Sequence, residues 1–137
     1  MSIEIRGLEE VIEGIGDSVS NEKITDILTR ACLLVERSAK QKAPKGDGDL
    51  RRSIQSTVKD NEGIVFTPLE YAPYVEYGTG LFAENGGRQD VPWIYKDDKG
   101  NWHSTSGQHP QPYMRPALDE NREQILKMFK DGITQND

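Results

Sequence analysis

The chain of 137 residues carries a net charge of -6 and 34% hydrophobic residues, with a mean hydropathy of -0.72; that length suits one domain, and so lean an apolar content implies long exposed loops or a partner over part of the surface. A pI near 5.0 opposes tight binding to nucleic acid or to an anionic membrane, since both need clustered Lys and Arg. The single cysteine, Cys32, excludes an internal disulfide and suits a cytosolic origin, and no apolar run is long enough for a signal peptide or a membrane span.

Along the chain, Ile3-Glu4-Ile5 has the alternation of a short strand, and Leu8, Val11, Ile12 and Ile15 recur at helical spacing until Gly14 and Gly16 interrupt them. From Asn21, taken as the N-cap, the stripe Ile24, Ile27, Leu28, Ala31, Leu34, Val35 and Ser38 predicts a long amphipathic helix. Pro44 and the glycines after it end that helix near Lys42. Cys32 lies beside the stripe and reads as a small core residue, because no histidine is near it in sequence. Asp49 is expected to cap a turn leading through Leu50-Arg51-Arg52 into a strand, Ser53 to Val58. Asp60-Asn61-Glu62-Gly63 supplies turn chemistry, and Ile64 to Thr67 returns as the second strand of a hairpin that needs a helix over its apolar face.

The stretch Tyr71-Ala72-Pro73-Tyr74-Val75-Glu76-Tyr77-Gly78-Thr79-Gly80 holds three of the five tyrosines. Pro73 suits the first turn of a short helix that Gly78 ends, which places an aromatic cluster on a stiff corner. A tyrosine pairs a large apolar ring with a polar tip, so the corner serves either as a half-buried core edge or as an interface anchor, and the residues alone favour the core edge. A loop region about 81–112 follows, with few apolar residues up to Pro92. Within it, Trp93 to Lys96 and Asn101 to His103 flank the turn Asp97-Asp98-Lys99-Gly100 as a second hairpin carrying both tryptophans. Ser104 to Pro112 is too rich in breakers for regular structure. Pro116 opens a final helix whose apolar face is Ala117, Leu118, Ile125, Leu126 and Phe129, ended by Gly132.

Chemistry-bearing patterns are thin. Asp47-Gly48-Asp49 begins like a calcium loop, but Val58 stands where the twelfth-position glutamate belongs. His103 and His109 match no zinc spacing, and Gly78-Thr79-Gly80 lacks the lysine of a phosphate loop. Neither a serine elbow nor a Cys-His constellation occurs. No cofactor and no metal is expected.

Four motifs in order are informative: Lys42-Ala43-Pro44 closing a helix, Gly48-Asp49-Leu50-Arg51-Arg52-Ser53-Ile54, the stretch from Tyr71 to Gly80, and Gln111-Pro112-Tyr113-Met114-Arg115-Pro116-Ala117-Leu118. In that order they resemble the "gene product ten"-like family of long-tailed bacteriophages and prophages, from about Ile24 to Phe129. Asn85 to Gln108 matches no pattern of that family. The resemblance implies an α+β fold, a small antiparallel β-sheet packed by long N-terminal and C-terminal helices. It also implies a non-enzymatic neck or tail-completion role at the head-tail junction of the virion, in a homo-hexameric ring between the head connector and the tail-tube proteins. DNA would pass through that ring without specific binding, and the chain would be made in the bacterial host cytoplasm with no membrane partner. As subunit or partner contacts in such a ring we expect Tyr71, Tyr74, Glu76, Tyr77, Thr79, Trp93, Trp102, Gln111, Tyr113 and Arg115. Two other readings compete: a small hydrolase using Glu76 with His103 or His109, and a tail-assembly factor that leaves before the particle matures.

Overall fold

Helix α1, Asn21–Lys42, forms where the 3.6-residue stripe predicts it, and its buried positions run Ile24, Ile27, Leu28, Ala31, Cys32, Val35 and Ala39. Its cap is Ser20, one residue before the expected Asn21: the serine hydroxyl accepts a hydrogen bond from the Lys23 amide at 3.2 Å. The computed structural model describes residues 1–5, 20–46, 48–84 and 90–134. The expected helix over Leu8 to Ile15 lies outside them, as do Asn85 to Gln89 and the last three residues. The chain divides into two compact units, Met1–Pro68 with Tyr113–Asp137, and Leu69–Pro112.

In the first unit, strand β1 (Ser2–Ile5), helix α2 (Asp49–Ser53) and strands β2 (Gln55–Lys59) and β3 (Glu62–Phe66) precede the final helix α4, Met114–Thr134. The sheet is antiparallel in the order β1-β3-β2. Asp49 starts a short helix where a turn was expected, and Ser53 ends it, its hydroxyl donating to the Leu50 carbonyl at 2.6 Å. The hairpin loop is only Asp60-Asn61, with φ 53 and 61. Two consecutive positive φ values give the turn a twist that matches its strands, and asparagine and aspartate tolerate them. Gly63 is therefore a strand residue and no part of the turn. A Cβ there would run into the Cys32 sulfur, so the missing side chain is what lets α1 lie close on the sheet. Ile5, Gly63 and Val65 face that helix and are buried, while Ser2, Glu4, Gln55 and Thr57 on the opposite face are exposed.

Helix α4 packs chiefly along α1 and also touches β1. Its buried line is Met114, Ala117, Ile125 and Phe129. Leu126, expected in that line, is 40% exposed, because it falls one position, about 100°, past Ile125 on the helix. The helix also runs through Gly132 to Thr134. A Cβ on Gly132 would meet the Ile27 side chain, so this glycine permits close helix packing and does not end the helix. The fold is α+β, with a small antiparallel sheet, a long helix near the N-terminus and a C-terminal helix.

In the second unit, helix α3 spans Ala72–Tyr77, with Pro73 in its first turn and Gly78 at its end. A short 3-10 turn follows at Gly80–Phe82, and the expected second hairpin forms as β4 (Trp93–Lys96) and β5 (Trp102–Thr105), its second strand running two residues past His103 into the stretch expected to be irregular.

Candidate interaction surface

Helix α3 orients the tyrosine corner. Its buried positions are Ala72 and Glu76, four residues apart and so on one face of the helix. Tyr71, Tyr74 and Tyr77 recur every third residue away from that face and are exposed, Tyr74 by 61%. The corner is thus an outward aromatic surface and not the core edge that its residues alone favour. Pro73, Tyr74, Tyr77, Gly78, Thr79, Gly80 and Ala83 line a groove of about 260 Å³ on it.

The loop from Ser106 to Gln111 is tied to this corner through the backbone. The Thr79 amide donates to the Gln108 carbonyl at 2.9 Å, and the Leu81 amide to the Ser106 carbonyl at 2.9 Å. In return the Gln108 amide donates to the Thr79 hydroxyl at 2.9 Å, and the Gln111 amide to the Val75 carbonyl at 2.8 Å. At the crossing Gly107 has φ 117, and a Cβ would collide with the Thr79 carbonyl; only glycine satisfies both the conformation and the approach. The Gly78-Thr79-Gly80 pattern therefore serves as one half of a backbone clasp. His109 of the same loop lies against Phe82, ring centroids 3.9 Å apart.

The second hairpin is pinned at its turn. The Asp97 carboxylate accepts from the Lys99 amide at 2.9 Å and the Asn101 amide at 2.8 Å, and its other oxygen meets His103 Nε2 at 2.7 Å. The His103 contact first, and the Asn101 amide next, hold the Asp97 carboxyl below its ordinary range. Tyr95 stacks across the strands on His103 at 5.2 Å. On the other face Ile94 is 69% and Trp102 68% exposed, and the Lys96 ammonium lies 5.8 Å from the Trp102 ring.

The expected contact residues therefore separate. Tyr71, Tyr74, Tyr77, Thr79 and Gln111 gather at the corner, Trp93 is half-buried against Gly80, and Trp102 stands out on the hairpin. Glu76 and Tyr113 are fully buried and offer a partner no surface; Tyr113 instead donates its hydroxyl to the Met1 sulfur at 3.6 Å. Arg115 is half-buried near the start of α4, in the other unit. The side chains of the hydrolase reading are differently engaged: Glu76 is buried, His103 is bound to Asp97 and His109 packs on Phe82. Among the described residues no group of three or more His, Cys, Asp or Glu could hold a metal ion.

The clasp has no local signal in the sequence, because it joins glycines far apart in the chain, Gly78 and Gly80 on one side and Gly107 on the other. Sequence reasoning also did not find a groove in the first unit, about 530 Å³, lined mainly by α1 residues together with Lys45 and Arg51.

Compared with known proteins, residues 7–78 match the HK97-gp10-like family profile, described as "Bacteriophage HK97-gp10, putative tail-component". No curated protein and no solved structure matches.

Proposed function

We propose that this chain, which belongs to the HK97-gp10-like family of bacteriophage tail components, acts at the head-tail junction as a ring-forming subunit that completes the tail and joins it to the head. Membership alone makes it a structural component of a phage. The finer assignment rests on one observation: the unit Leu69–Pro112 turns Tyr71, Tyr74, Tyr77, Ile94, Tyr95 and Trp102 toward solvent. Large rings exposed on a clasped backbone are what a protein-protein interface uses as anchors, because little ordering is left to lose on binding. A head-to-tail ring needs two different patches on each subunit, and the corner and the second hairpin supply candidates. Its neighbours in this reading are further copies of itself, the head connector and the tail-tube proteins. The net charge of -6 suits a channel that DNA crosses without adhering.

Negative-stain images of particles from a phage deleted for this gene test the assignment. Filled heads and separate tails support it, and intact virions overturn it. Mass spectrometry of purified, DNA-filled virions distinguishes a resident component, which is retained, from an assembly factor, which is absent.

A further inference from the structure

Charge is unevenly spread over this acidic chain. Between residues 30 and 52 lie seven cationic and three acidic side chains, so the remainder is more acidic than the total of -6. Part of that cationic excess converges on the groove of about 530 Å³ in the first unit, where Arg37 and Lys40 of α1 meet Lys45 and Arg51. Among the described residues, only Lys40 is answered there, by Glu36 at 3.5 Å. Among the described residues Arg37, Lys45 and Arg51 make no ion pair, and the Arg51 Nε is buried without a hydrogen-bond partner. Leu33, 48% exposed, adds an apolar patch to the same groove. Unanswered cations around an apolar patch raise the local potential and favour an acidic partner.

We infer that this groove is the docking site for the acidic surface of a second copy of the chain, one of the two patches by which neighbouring subunits join head to tail. The inference rests on the ring reading and adds the chemistry of the contact. Charge complementarity selects the occupant: a subunit that is basic in this groove and acidic elsewhere attracts its own kind in one orientation and repels it groove to groove, so the contact is heterologous and propagates around a ring. Duplex DNA fits less well, since the remaining surface would repel its phosphates.

The test is carbodiimide treatment of purified particles, which joins lysines to carboxylates in direct contact. It is paired with Arg37→Glu/Lys45→Glu supplied to a phage lacking the gene. Both positions are exposed, so the variant is expected to keep its thermal midpoint. The expected result is a dimer-sized product containing Lys40 or Lys45 joined to Asp or Glu peptides of the same chain, lost in the variant together with a fall of about tenfold or more in infectious particles. Normal yield from the variant, cross-links confined to the monomer band or leading to a different virion protein, or duplex-DNA binding abolished by the reversal would each overturn the inference while leaving the joining role intact. Absence of the chain from particles would instead remove the joining role, and this contact with it.

Discussion

At the scale of single residues, the contact between Gly63 and Cys32 decides how closely helix and sheet approach. A methyl group at Gly63 would overlap the Cys32 sulfur, and overpacking of this kind costs about 1–3 kcal/mol. Gly63→Ala should therefore lower the midpoint of chemical unfolding, and adding Cys32→Ala should restore part of the loss; additive effects in that double-mutant cycle would contradict the contact. The same thiol gives a pH dependence. Burial first, and the Glu36 carboxylate second, push the Cys32 pKa from 9.0 to about 11. The folded chain thus holds this proton to higher pH than the unfolded chain does. The stability involved is fully present below about pH 9.0 and is lost as pH rises toward 11, at a slope of at most about 1.4 kcal/mol per pH unit. Urea unfolding between those limits should show that decline, and Cys32→Ala should be flatter over the same range.

At the scale of elements, periodicity made the regular parts legible. The stripe from Ile24 to Ser38 predicts α1 to within one residue at its start and ends it at Lys42 as expected, and the alternation at Trp93 and Trp102 predicts the second hairpin. What stayed hidden depends on neighbours distant in sequence. Gly63 and Gly132 read locally as a turn and a helix end, yet each is a place where two elements approach closely. The tyrosine corner was legible as a rigid helical turn, but which way its rings point follows from the burial of Ala72 and Glu76 against surroundings that the local sequence does not contain. The Asp97 turn yields a prediction at this scale. Its carboxylate accepts the Lys99 and Asn101 amides, so Asp97→Ala should speed hydrogen exchange at those two amides and leave the global unfolding midpoint almost unchanged, because the turn is exposed. Equal protection in the variant would mean that the backbone alone holds the turn. Gly107→Ala should act more widely, since the clasp with Thr79 leaves no room for a Cβ at φ 117. Faster exchange is expected at the Thr79 and Leu81 amides, and unchanged exchange there would contradict the clasp.

For the whole molecule, a lean hydrophobic content and a surface carrying exposed Tyr74, Ile94 and Trp102 have a common physical reading. Large apolar side chains left in water mark a place where another surface belongs. In the proposed ring the basic groove would add orientation to the apolar anchoring of the aromatic surface. The division of labour also separates stability from function. Tyr74, Tyr77 and Trp102 are exposed, so removing any one of them should leave the unfolding free energy within about 0.5 kcal/mol of the parent. Loss of Phe129, fully buried on α4, should cost about 3–5 kcal/mol. Whether the outward aromatic surface carries the proposed joining role is tested by particle assembly with Tyr74→Ala/Tyr77→Ala/Trp102→Ala supplied to a phage lacking the gene. A folded variant that leaves filled heads and tails unjoined is the expected result, and infectious, joined particles at the parental yield would contradict a joining role for that surface.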